Sequence, residues 1–451
     1  MSHFSLPAPS RARRERGFGL VESMVVIVII LFMSLTIFTV MAASEGHKRT
    51  TTSVSDADQE GSYAVYTLDK AIRSAGSGFR AAQDYSYGCP VSAALSGAAI
   101  LPVSSAANLP PMFQQVDTDL GGVYRMAPVL IDKNASLVSG RPASDALIVM
   151  SGTSGYGEFP TTFQEPPTIA GASALLNLTG TTAFNPNDLV LIVQPPATNG
   201  LMLPCAISQV AGTGTWPVDA KGIPTQALTN PQLPLAGTYF SAGSPGLTFS
   251  LSTLTQTAQV MDLGNALTDG HPQFQLFAVA QSATGNTSIN NSLNSSLWSY
   301  DLLFGGATGG TPQGVSVADS VYEMHALYGV SSAATCATTN IPPGCPITSW
   351  EDPASANWSL NVLTNGTTTA NAALYRIKAI RLGIIMRAAL PEQKTSATST
   401  PVQLTTVTLF NNLLPAGGSA APYTRTFNLA GETSYRYRTI EVTIPVRNNL
   451  F

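Results

Sequence analysis

Gly17-Phe18-Gly19-Leu20-Val21-Glu22 opens an apolar run that continues to Ala43 and holds one charged side chain, Glu22. Four arginines, Arg11, Arg13, Arg14 and Arg16, stand just before it. From Phe18 to Ala43 there are about 26 residues, or roughly 39 Å as a helix, against a hydrocarbon core of ~30 Å. The run is therefore long enough to span a membrane. A carboxylate inside such a segment costs about 2.5–3.5 kcal/mol on insertion scales, and the run contains no Lys or Arg to pair with it. Cleavage between Gly17 and Phe18 creates a partner, because the new α-amino group is largely protonated near neutral pH. Glu22 then pairs with its own amine or with that of a neighbouring parallel helix. The arginines stay on the cytoplasmic side, as the positive-inside bias requires.

Two simpler readings compete. A secretory signal has a hydrophobic region of only ~7–15 residues, although Val40-Met41-Ala42 offers a small-residue cleavage site that would start the mature chain at Ala43. A plain signal anchor leaves both the acid and the Gly17-Phe18 junction unexplained.

The Gly17-Phe18-x-Leu20-Val21-Glu22 pattern resembles the prepilin motif of type IV pilins and type II secretion pseudopilins. The resemblance implies cleavage after Gly17 by the prepilin peptidase, N-methylation of Phe18, and a docking role for Glu22 in subunit assembly. Gly19 stands where many members have Thr.

Phe18 to about Ala75 reads as one helix in two halves. Beyond Glu45-Gly46-His47-Lys48-Arg49, the residues Val54, Ala57, Gly61, Ala64, Val65, Leu68, Ala71, Ile72 and Ala75 recur at spacings of three and four, with Asp56, Asp58, Glu60, Asp69, Lys70 and Arg73 largely elsewhere. One half suits lipid and the other a globular domain. Gly46 and Gly61 read as tolerated helix glycines, and Gly76 and Gly78 as the stop.

After Phe79 the composition turns to Gly, Ser, Thr, Asn and Pro, with strands predicted at 146–150, 189–193, 274–279, 377–386 and 439–446. The last alternates, and Pro445 places it at an edge or a strand end. Val317, Val321, Met324 and Tyr328 fit a helix, while Tyr328-Gly329-Val330 also fits a strand entry. Ser282 to Gly314, poor in charge and rich in Asn, Ser, Gly and Thr, reads as a long surface excursion. The organisation is thus 1–17 leader, 18–43 transmembrane helix, 44–76 amphipathic half and 77–451 extracytoplasmic domain. The fold class is α+β: a long N-terminal helix packed on a β-rich, pilin-like globular domain with long insertions.

Of 451 residues only 11% are charged, and the net charge of −4 gives no electrostatic footprint for nucleic acid. The four cysteines, Cys89, Cys205, Cys336 and Cys345, all fall on the extracytoplasmic side, where disulfides form, with three connectivities possible. The short turn-rich segment between Cys336 and Cys345 favours their pairing, which leaves Cys89 with Cys205. No metal site is expected, since there is no CxxC pair and the four His are scattered.

The chain also resembles PilW-type minor pilins at Leu68 to Gly76, Gly88-Cys89, the Asp188 strand followed by Cys205, Val317 to Val330, Ile377 to Leu382 and Arg438 to Asn448. That implies a non-enzymatic subunit, without cofactor, that works with other minor and major pilins in initiating type IV pilus assembly. It would sit in the inner membrane with a periplasmic domain before entering the pilus at the cell surface. A type II secretion pseudopilin shares every N-terminal feature, and the Thr/Ser/Asn-rich insertions suit a tip adhesin.

Catalytic motifs fail individually. Gly152-Thr153-Ser154-Gly155-Tyr156 lacks the second glycine of a nucleophile elbow. Asp117-Thr118-Asp119-Leu120-Gly121 has carboxylates at calcium-like spacing without the rest of a binding loop, and reads as a solvated turn. His271 and His325 read as structural, while Trp298, Tyr300 and Tyr322 suit a binding face, which core packing explains at least as well.

Overall fold

The computed structural model describes residues 19–136, 141–154, 159–171, 173–212, 231–243, 249–268, 270–281, 295–305, 312–332, 345–391, 406–428 and 432–450. Gly17, Phe18 and Cys336 lie outside them.

The N-terminal helix runs from Leu20 to Ser74 without interruption, 55 residues and about 80 Å at the α-helical rise. Its apolar part, to Met41, is exposed, and Glu45, Lys48, Arg49 and Thr52 line a shallow cleft with Ala389 and Leu390 of the body. From Ser53 onward one face is buried, and Ala57, Gly61, Ala64, Leu68, Ala71, Ile72 and Ala75 form it. These are the residues whose spacing marked the apolar stripe. Most are small, which lets the helix lie close to the sheet beneath it. The approach is tightest at Gly61, where a Cβ would stand 2.6 Å from Ile440 Cδ1 and 3.1 Å from Met386 Cγ. Gly61 is therefore not merely tolerated: the helix–sheet spacing leaves room there for a side chain no larger than a methyl, and only if Ile440 shifts.

Below the helix lies a four-stranded antiparallel sheet in the order Ser349–Glu351, Val321–Val330, Ile377–Arg387, Tyr437–Pro445. The last strand pairs only with Ile377–Arg387, so Pro445 sits on an edge strand, where its missing N–H costs no ladder bond. Ten consecutive buried residues make up Val321–Val330. One face packs into the main core through Met324, Ala326 and Tyr328. The other is covered by the hairpin Thr406–Leu409/Tyr423–Thr426 and its neighbours Phe410 and Phe427. A strand buried on both faces loses the in–out alternation of a half-buried one, which explains why its spacing also suited a helix. Ser320, at φ 63°, separates it from the strand Val315–Asp319.

A five-stranded sheet follows in the order Val315–Asp319, Ser296–Asp301, Gln273–Ala280, Ser144–Ser151, Val129–Ser136. The strand Ser296–Asp301 corrects the reading of 282–314 as a surface excursion, because Leu297 and Tyr300 are core residues. Positions 282–294 and 306–311 lie outside the described residues. The third sheet has eight strands, in the order Ala98–Leu101, Val91–Leu95, Cys205–Gln209, Asp188–Val193, Gln259–Asn265, Thr161–Ala170, Ser173–Leu178, Gln232–Leu235. The architecture is a long apolar-tipped helix on a β-rich mixed α+β body.

Three devices fix the distal end of the helix. Gly76, at φ 83°, ends it, and its N–H donates to Met150 O at 2.9 Å. Asn448 Nδ2 donates to the carbonyls of Ser74 and Ala75 at 3.2 and 2.9 Å, satisfying groups that a helix end leaves open. Next to it, buried Asn449 donates to Leu374 O and Ile377 O and accepts from the Tyr87 hydroxyl.

Candidate functional site

The feature with the clearest physical demand is the free part of the helix. Leu20, Val21 and nearly every apolar side chain from Met24 to Met41 are exposed, Leu20 by 77% and Phe38 by 69%. No soluble monomer leaves such a surface in water without reason. Three hydroxyls within it bond back to the helix: Ser23 Oγ donates to Gly19 O, Thr36 Oγ1 to Met33 O and Thr39 Oγ1 to Thr36 O. That is the condition for a helix without water. By length and composition this helix is apolar enough to cross a membrane.

Glu22 lies in the first turn, exposed, and no described residue forms an ion pair with it. The basic pair Lys48 and Arg49 comes one to two turns after the apolar stretch, on the exposed helix surface.

Cys89 and Cys205 form a disulfide with Cα atoms 5.7 Å apart, at the point where Val91–Leu95 pairs in parallel with Cys205–Gln209. Cys345 is disulfide-bonded.

The remaining candidates disperse through the body. Asp117 is buried in the short helix Gln114–Leu120 and Asp119 is exposed, so this stretch is a helix end and not a solvated turn. Among the described residues no group of three or more His, Cys, Asp or Glu side chains is placed to hold a metal. Ser154 Oγ donates to Asp262 Oδ2 at 2.6 Å, and burial pushes that carboxyl up to about 6. His271 stacks on Phe304 with ring centroids 3.9 Å apart. Tyr300 and Tyr322 are buried, and Trp298 is half-buried.

His325 belongs to a buried ionic network that motif-based reading missed. Its Nδ1 lies 3.7 Å from Asp145 Oδ1 and its Nε2 3.5 Å from Glu323 Oε2, ion-pair distances too long for hydrogen bonds. Its ring stacks on Tyr423 at 3.9 Å. Glu323 accepts from Arg425 Nε at 2.7 Å and from the Tyr423 hydroxyl at 3.0 Å. Glu432 accepts from Arg425 and from the Tyr322 hydroxyl. Burial opposes ionisation of Asp145, Glu323 and His325, yet His325 and Lys133 hold Asp145 below the usual carboxylate range. His325 and Arg425 do the same for Glu323. The two carboxylates in turn outweigh burial and raise His325 above its ordinary value. The signal was visible as Asp145, Glu323, His325 and Arg425 set inside otherwise apolar or β-type runs. The network pins the hairpin Thr406–Leu409/Tyr423–Thr426 onto the sheet.

Compared with known proteins, the chain matches no family model, no curated protein and no solved structure.

Proposed function

We propose that this protein is a minor pilin that takes part in initiating type IV pilus assembly. The carrying observation is one unbroken helix, apolar and bare from Leu20 to Met41, whose continuation from Ser53 is packed on a β-rich body. An apolar helix of about 22 residues reaches roughly 33 Å, which matches the ~30 Å hydrocarbon core. It serves first as an inner-membrane anchor, with the body in the periplasm. In a pilus the same face packs against other pilin helices, so one surface serves lipid and assembly in turn.

In this reading the prepilin peptidase cuts after Gly17 and methylates Phe18, and Glu22 neutralises a Phe18 amine. The Cys89–Cys205 disulfide suits a periplasmic location. The body supplies lateral contacts to minor and major pilins at the cell surface. We assign it no reaction and no cofactor.

Mass spectrometry of the mature N-terminus tests the reading. A chain beginning at N-methylated Phe18 is expected. A start at Ala43, or an uncut leader in cells with active prepilin peptidase, overturns it.

A further inference from the structure

Just past the end of the long helix, two positive side chains flank one aromatic ring. Arg80 Cζ lies 5.9 Å from the centroid of the Tyr375 ring, and Lys378 Nζ lies 3.9 Å from the same centroid. Tyr375 and Lys378 are fully buried, whereas Arg80 is only partly so. Lys378 donates to the carbonyl of Asn449, and neither cation has a carboxylate within ion-pair distance among the described residues. Three donors here are buried without a hydrogen-bond partner: Arg80 Nε, Arg80 Nη2 and the Tyr375 hydroxyl.

Buried polar groups in native proteins are almost always satisfied, and buried charge without countercharge is strongly unfavourable. Burial, and then the charge of Arg80, push Lys378 down to about 8, so its ammonium is still largely present at neutral pH. The two orphaned atoms of Arg80 form one edge of the guanidinium, the edge that grips two oxygens of a carboxylate or phosphate in a fork. A water molecule would satisfy these donors but leave the charge. An anion does both.

We propose that Arg80, Tyr375 and Lys378 form a binding site for a small oxyanion, a carboxylate or a phosphate. Arg80 holds two of its oxygens through Nε and Nη2, the Tyr375 hydroxyl donates to it, and Lys378 supplies the second positive charge. The site adjoins Asn449 and Tyr87, so occupancy ties the end of the long helix more firmly to the body.

The test uses the full chain in detergent micelles. Sodium acetate and sodium phosphate are titrated separately at constant ionic strength against sodium chloride, following bound anion by calorimetry and the thermal midpoint in parallel. Saturable uptake of a single equivalent of acetate or phosphate, with a rising midpoint, is expected, and the tighter of the two identifies the source. Arg80→Gln should weaken it about tenfold or more, as the loss of a charge-assisted fork does. Arg80→Lys, which keeps the charge without the fork, should weaken it too and covers the case in which the glutamine variant does not fold. Arg438→Gln, on the exposed edge-strand surface, should leave uptake unchanged. No saturable uptake of either anion, the outcome for a water-filled site, overturns the proposal. Equal uptake by wild type and both Arg80 variants overturns it as well.

Discussion

The Tyr87 hydroxyl donates to Asn449 Oδ1 at 2.7 Å, joining residues 362 positions apart in a fully buried contact. Through Asn449 Nδ2 the same side chain satisfies the carbonyls of Leu374 and Ile377. Asn449→Ala removes a hydrogen bond from three buried groups at once, of which Leu374 O keeps the Ile377 N–H. Each unsatisfied group costs ~1–3 kcal/mol, so a loss of about 3 kcal/mol is expected in urea unfolding. Asn448→Ala, at a half-buried site, should cost about 1 kcal/mol. Equal effects of the two variants would contradict the assignment of Asn449 as the buried lock.

Gly61 sets the height of the helix above the sheet. Gly61→Leu drives a branched side chain into Ile440 and Met386, and overpacking of this kind costs typically 1–3 kcal/mol. Gly61→Ala should be nearly neutral. The Ile440 terminus can swing aside, and alanine recovers ~1 kcal/mol of helix propensity. Paired melting curves of the two variants separate close packing from backbone flexibility.

The His325 network predicts a pH window. His325 is raised above its unfolded value of 6.5, so its stabilisation is fully present below that pH and fades as pH rises through the folded value. Asp145 and Glu323 are depressed from 3.8 and 4.5, so theirs is present above those values and fades on acidification. His325→Leu leaves Asp145 facing Lys133, and Glu323 facing Arg425 and Tyr423. The variant should lose most at pH 5.5, by about 3 kcal/mol as for a broken buried ion pair, and progressively less at alkaline pH. A difference from wild type that does not vary with pH would mean that the imidazole is neutral.

Glu22→Ala should leave leader cleavage intact and lower the amount of the protein recovered in sheared pili several-fold. Immunoblots of pilus and membrane fractions, with the cleaved and uncut forms resolved, read both effects. Undiminished recovery would remove the docking role given to the acid.

The helix was legible because its two halves obey opposite rules, apolar all round before Ala43 and apolar on one stripe after Ser53. The strands at 189–193 and 377–386 were legible as short branched-apolar runs. Val321–Val330 was not, because burial on both faces erases the alternation that separates strand from helix. The carboxylates of Asp145 and Glu323 escaped notice for a related reason. Their partners Lys133, His325 and Arg425 come together only when the sheets and the hairpin assemble, and no local spacing encodes that. Gly61 carried no mark at all of the side chains that press on it from Ile440 and Met386.

Asn448 also sets an order of events during synthesis. The helix is made before the sheets it packs on, yet the Asn448 amide that caps its end lies 374 positions beyond Ser74. Until the segment at 447–449 arrives, the Ala75 carbonyl lacks the Asn448 amide, Ser74 O has only the Ser77 N–H, and the strand Ile377–Arg387 lacks the Asn449 contact at its first residue. The body closes around the end of its long helix only once residues 447–449 are in place. A chain stopped short of residue 447 would therefore carry the long apolar helix joined to an unlocked body, a state open to proteolysis.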